Sequence, residues 1–164
     1  MFEKGEFIIY GTSGVCEVRD YMSASEEETT RTYYVLVPLR SKGSTIYSPV
    51  DNQKVLMRPV MTKEEACLFL THMGEFEDLE IRDSRTQEQQ YREVLQSGSY
   101  TDSIRLLKAL YTRKKQREEK GRRITSVDEK YLYLVRDSLV NELSVALDMD
   151  AEEADKLLKD KMGA

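Results

Sequence analysis

The sequence predicts an α+β chain: a small antiparallel β module in residues 1–60, then an all-α helical module in residues 61–164. Three observations predict it. Short β-forming runs bounded by turn residues and prolines fill the first third. Capping signals followed by apolar residues at three- and four-residue steps fill the rest. One of those helical stretches, Tyr100 to Arg123, concentrates nine of the chain's 25 Lys and Arg residues.

The β elements follow in order. Phe7-Ile8-Ile9-Tyr10 is an apolar run closed by the turn cluster Gly11-Thr12-Ser13-Gly14, and Val15 to Arg19 alternates in part. Ser23 to Thr30 is polar and acidic and reads as an exposed hairpin loop. Tyr33 to Val37 is rich in β-formers and ends at Pro38, which cannot donate to a ladder. Ser41 to Ser44 turns the chain into Thr45 to Ser48, stopped by Pro49, and Val55 to Arg58 is a last short strand before Pro59. Strands this short with turns this frequent predict a strongly bent sheet or barrel.

The pattern changes after residue 60. Thr62-Lys63-Glu64-Glu65 fits a capping box, Ala66, Phe69, Leu70 and Met73 keep helical spacing, and Gly74 is placed to stop the helix. Glu75 to Asp83 reads as a connector and Ser84 to Leu95 as a second helix carrying Tyr91, Val94 and Leu95 on one side. Ser97-Gly98-Ser99 breaks it before the basic helix, which Gly121 ends. Ser126-Val127-Asp128-Glu129 fits another capping box ahead of Tyr131, Leu132, Val135, Leu139, Leu143 and Ala146. Ala154, Leu157 and Leu158 mark a short final amphipathic helix.

In the basic helix Ile104, Leu107, Leu110 and Tyr111 form an apolar stripe, with Arg105, Lys108, Thr112 and Lys115 opposite. From Arg105 to Arg123 nine Lys or Arg face Glu118 and Glu119, a local charge of about +7 in a chain of net −5. Overall acidity argues against indiscriminate nucleic-acid binding, so any such contact falls to this patch. A phosphate backbone and another acidic surface both suit it, and a merely solvated face is an equal alternative.

Catalytic chemistry has no visible seat. His72 is the single histidine, no phosphate-cradling glycine motif occurs, Glu64-Glu65 suits a helix start and Glu26-Glu27-Glu28 a solvated loop. Cys16 and Cys67 lie far apart without a CxxC or CxxH pattern, so neither a metal nor a cofactor is expected, and both read as small buried hydrophobes. No signal peptide and no transmembrane-length apolar run is read, which predicts a cytosolic protein with reduced thiols.

The order of these residues resembles the CarD/CdnL family of bacterial transcription regulators. The resemblance runs through FEKGEFIIYGTSGVCEV, through TIYSPVDNQKVLMRPV, and most specifically through LQSGSYTDSIRLLKALYTRKKQREEKGRRITSVDEKYL, covering about residues 2 to 147. It implies a Tudor-like (SH3-like) N-terminal module that docks on the RNA polymerase β subunit. It also implies a helical module that touches promoter DNA at the upstream edge of the opening bubble and alters the open complex.

Under that resemblance the polymerase-facing candidates are Tyr10, Tyr34, Tyr47 and Pro49, the tyrosines being equally candidates for core or β-surface positions. The candidate phosphate contacts are Arg82, Arg85, Arg105, Lys108, Arg113, Lys114, Lys115, Arg122 and Arg123. Two positions depart from the family. Glu80 stands where many members carry a Trp wedge before Ile-x-Asp, and Tyr47 stands where some carry a basic residue. A carboxylate at the wedge position meets phosphate repulsion rather than unstacked bases. A protein-interaction adaptor that leaves DNA untouched is the alternative reading, and a monomer with no membrane contact is expected.

Overall fold

The computed structural model describes residues 1–163. Five strands, β1 (Phe7–Tyr10), β2 (Val15–Glu26), β3 (Thr29–Pro38), β4 (Ile46–Pro49) and β5 (Met57–Pro59), form one sheet in the order β4-β3-β2-β1-β5. Every neighbouring pair is antiparallel. Five helices follow: α1 (Lys63–Thr71), α2 (Gln87–Ser97), α3 (Tyr100–Glu119), α4 (Ser126–Leu147) and α5 (Ala151–Met162). This is the α+β arrangement that the sequence predicts.

Strand register explains the partial alternation of β2. Cys16 and Val18 face the small β core with Ile8, Leu36 and Tyr34. The pairing Val18↔Leu36 is followed by Asp20↔Val35, so Arg19 is a bulge residue. One extra residue reverses the parity of a strand. Tyr21, rather than an even-numbered residue, therefore lies opposite Tyr34 and packs on the core, their rings 5.9 Å apart.

The stretch expected as a loop at residues 23–30 is instead a two-stranded ribbon. Ser25 pairs with Thr30 and Glu26 with Thr29, leaving Glu27 and Glu28 as a two-residue turn with Glu27 at φ 55°. Its polar composition reflects exposure of both faces, while Thr29, Thr30 and Thr32 are β-branched and favour the extended backbone.

Helix starts are set by local hydrogen bonds. Thr62 Oγ1 accepts from Glu65 N at 3.1 Å and the Glu65 carboxylate accepts from Thr62 N, completing the expected capping box. α2 begins at Gln87, not Ser84, because residues 83–86 form a turn in which the Asp83 carboxylate accepts from Arg85 N and Thr86 Oγ1. Gly98, at φ +66°, ends α2, and Ser99 Oγ accepts from Asp102 N to start α3. The cap of α4 lies one residue earlier than the Ser126 motif suggests: Thr125 Oγ1 accepts from Asp128 N. That shift leaves Asp128 free to turn inward.

The helical core joins all five helices, through Phe69 and Leu70 of α1, Tyr91 of α2, Leu107 and Leu110 of α3, Leu139 and Leu143 of α4, and Leu158 of α5. Burying each such side chain contributes about 1.5–3 kcal/mol. The sheet meets this bundle through β5, where Arg58 reaches Glu142, and again near Gly14 and the end of β3, where Arg40 reaches Asp137. The outer edge of β4 is left without a strand partner.

Candidate functional site

The C-terminal half of α3 and the turn after it form the basic surface. Gly121, at φ +70°, permits the chain to fold back: Gly121 N donates to Glu118 O and Arg122 N to Arg117 O. Arg117 Nε donates to Arg123 O at 2.8 Å, locking the turn against the helix. The result is a cleft of about 180 Å³ lined by Arg113, Gln116, Arg117, Lys120 and Arg122. Four cations around one cleft create a field suited to an oxyanion such as a phosphate. On another flank of the helix Tyr111, Lys114, Lys115 and Glu118 line a second cleft, which Lys159 of α5 joins.

The candidate phosphate contacts divide into two sets. Lys114 is half-buried, and Lys115, Arg122, Arg123 and Arg85 are exposed. Lys108 is engaged within the fold: its ammonium donates to Met73 O at 2.5 Å and Phe76 O at 2.8 Å, closing the carbonyl end of the α1 turn. Arg113 is engaged too. Its guanidinium reaches inward to Gln87 Oε1 at 3.1 Å and Tyr91 Oη at 3.0 Å, and its Nε lies 3.3 Å from the Asp128 carboxylate.

Asp128 is fully buried and accepts from Tyr91 Oη at 2.8 Å through one oxygen. The other oxygen faces Arg113 at ion-pair distance but outside hydrogen-bond geometry, and has no hydrogen-bond partner among the described residues. Burial and the neighbouring Asp128 carboxylate hold the Tyr91 phenol far above its ordinary range, keeping it a neutral donor. Arg113 lines the cleft wall, yet its charge is largely committed to this network.

Arg105 is partly engaged as well, donating to Glu77 O at 3.2 Å with Asp102 at 3.8 Å. Arg82 pairs with Glu93 at 3.5 Å on the surface. Glu80 is exposed, and its backbone is pinned by Gln90, whose amide donates to Glu80 O and accepts from Arg82 N, both at 2.8 Å. Arg117 and Lys120 line the cleft from α3 and its C-cap at helical spacing from Arg113, and the Gly121 fold-back adds Arg122. Lys159 comes from another helix and carries no sequence signal of its role.

In the β module, Tyr47 is 56% exposed on the free edge strand β4, with Pro49 and Tyr10 half-buried. Tyr34 is a correction: it is 1% exposed, and its hydroxyl accepts from Phe2 N at 3.0 Å, so its ring has no surface to offer a partner. Cys16 is buried, as expected, whereas Cys67 is exposed on α1. His72 caps the C-terminus of α1 and pairs with Glu75 at 3.0 Å on the surface.

Among the described residues no group of three or more His, Cys, Asp or Glu is arranged to hold a metal ion. No helix among them is long and apolar enough to cross a membrane. No curated protein matches the chain. Residues 2–61 match the family model described as the CarD-like/TRCF RID domain, a match that supports a CarD-like, RNA polymerase-interacting family for the β module.

Proposed function

We propose that the chain is a non-catalytic transcription regulator that holds RNA polymerase through its β module and promoter DNA backbone through the basic end of α3. The observation that carries this reading is the match of residues 2–61 to the RID domain, which supports interaction with RNA polymerase. The partner is assigned as the polymerase β subunit, through the β4 edge around Tyr47 and Pro49, with Tyr10 of β1 as a further candidate contact. An exposed Tyr on an unpaired edge strand supplies both apolar area and free backbone groups to a partner. Arg117, Lys120, Arg122 and Arg123, with Lys114, Lys115 and Arg85, would contact phosphates. Such contacts fix position without reading sequence, and the expected outcome is an altered lifetime of the open promoter complex.

The internal engagement of Lys108 and Arg113 favours a second reading, an adaptor that binds polymerase without DNA. Open-complex lifetime with the cognate polymerase separates the two. A change caused by the native chain, and lost with Arg117, Lys120 and Arg122 all replaced by Ala, supports the DNA reading. Retention on polymerase with an unchanged lifetime supports the adaptor. Adding Glu80→Trp tests the wedge position: a gain only in that variant assigns the missing step to Glu80.

A further inference from the structure

We infer that two arginines of the β module, Arg58 and Arg40, clamp α4 at two points and make the chain a rigid spacer between its two partners. The spacer role rests on the function proposed above, whereas the clamp does not. Arg58, in β5, meets Glu142 of α4 in a bidentate pair at 2.6 and 2.8 Å. Its Nε donates to Gly98 O at 2.6 Å, at the turn between α2 and α3, and its guanidinium lies over the Tyr100 ring at 5.6 Å. Glu142 is 2% exposed and also accepts from Met61 N at 2.8 Å. One carboxylate therefore ties the last strand, the module junction and α4 together. A buried carboxylate held by three such bonds is locked in place, because losing a partner leaves a charge unpaired.

The second point is Arg40, beyond the end of β3. Its Nε donates to Asp137 at 2.6 Å, its other nitrogens to Leu134 O at 3.3 Å and Thr12 O at 3.1 Å, and Asn141 donates to the same Asp137 oxygen at 3.2 Å. β1 and β2 lie between the strands that carry the two arginines. Asp137 and Glu142 are about 7 Å apart along α4 and about 140° apart around it. One clamp would leave a pivot, but two at different azimuths oppose both tilt and rotation.

The lever arm makes this matter. α3 starts at the clamp with Tyr100 and ends at the basic cleft, a strut of about 30 Å. A pivot of about 10° would swing its far end by about 5 Å, more than the 3.4 Å rise per nucleotide of one DNA strand. Arg58, Glu142, Arg40 and Asp137 are positioning residues: they touch neither partner yet set where the phosphate-binding end falls.

The test places nitroxide labels on cysteines introduced at Lys42 and Glu129, both exposed, in a Cys67→Ser background, with buried Cys16 left unlabelled. Pulsed electron–electron resonance then reads the inter-module distance in the parent chain, in Glu142→Gln, in Arg40→Met and in the double variant. A narrow parent distribution that broadens stepwise, with helical circular dichroism retained, is the expected result. A double variant as narrow as its parent overturns the clamp, and if that variant does not fold, Arg40→Met alone decides by the same criterion.

The spacer role is read separately, from open-complex lifetime at saturating protein. The broadened variant should lose about tenfold of the native effect, within the usual 5–150-fold range of coupled sites, with polymerase affinity unchanged. A full effect from a chain with a broadened distribution overturns the spacer role. A parent chain without effect on lifetime overturns the proposed function instead, and the distances still decide the clamp.

Discussion

At the scale of single residues, the least substitutable position is Gly98. It holds φ +66° and abuts the edge of the β module so closely that a Cβ would lie 2.1 Å from Leu56 Cδ2. Left-handed backbone costs an L-residue about 1–2 kcal/mol, and the clash adds to it. Gly98→Ala is expected to lower stability by about 2 kcal/mol or more by urea titration. Adding Leu56→Ala should recover the clash but not the backbone cost, so partial rescue is the signature of this contact. The sequence marks Gly98 as a helix breaker, and that much is read from the Ser-Gly-Ser turn alone. Its second role, admitting Leu56, has no sequence signature because the two residues are brought together only by packing. The same holds for Tyr34. Its β-rich surroundings place it in a strand, but its choice between core and surface depends on register with Tyr21 across the Arg19 bulge.

At the scale of elements, α3 shows what periodicity reveals and what it hides. The apolar stripe Ile104, Leu107 and Leu110 is buried as spacing requires, and Leu106 and Ala109 join it because α3 is packed on more than one side. Periodicity cannot say which cations on the polar side face solvent. Lys108 lies across from the open carbonyls at Met73 and Phe76, whereas Lys120 and Arg122 project beyond the bundle. Removing Arg117, Lys120 and Arg122 together should lower the slope of log binding against log salt by about 2 to 3, near one unit per lost phosphate contact. Lys108→Met should leave that slope unchanged and lower the melting temperature, as measured by fluorescence anisotropy at several salt concentrations and by thermal denaturation.

The α4–α5 contact carries a pH dependence of its own. Arg136 donates to Asp155 at 2.7 and 2.5 Å, and that hydrogen bonding, aided by Lys159, holds the Asp155 carboxyl below its ordinary range against the opposing effect of burial. A depressed carboxylate pKa stabilises the fold above the unfolded value of about 3.9, and the contribution is lost as pH falls through the lower folded value. The stability gap between the native chain and Arg136→Met should thus be full near neutrality and close on acidification below about pH 3.9. Urea midpoints at several pH values measure it.

At the scale of the whole molecule, the β module is a poor candidate for independent stability. Its core is the small cluster of Ile8, Cys16, Val18, Tyr34 and Leu36, while the helical module buries a far larger set drawn from five helices. Small domains bury a small fraction of their surface and are marginal alone. The change from strands to helices after residue 60 is legible from the change of hydrophobic period, since that pattern is local. What joins the two parts is not, because Arg58 and Glu142 are 84 residues apart and neither stands out among the charged residues that make up 34% of the chain. Their pairing links the stability of the weaker module to that of the stronger. The native chain is therefore expected to unfold in one calorimetric transition. Glu142→Ala leaves the Arg58 guanidinium, 23% exposed, without its carboxylate, and removing one partner of a buried pair costs about 3–5 kcal/mol. Much of that loss should fall on the junction rather than on the helical core, so a separate, earlier transition should emerge, with loss of near-ultraviolet tyrosine signal ahead of helical signal. A single transition merely shifted to lower temperature would show instead that Glu142 supports only α4, and that the two modules are united by their apolar contacts alone.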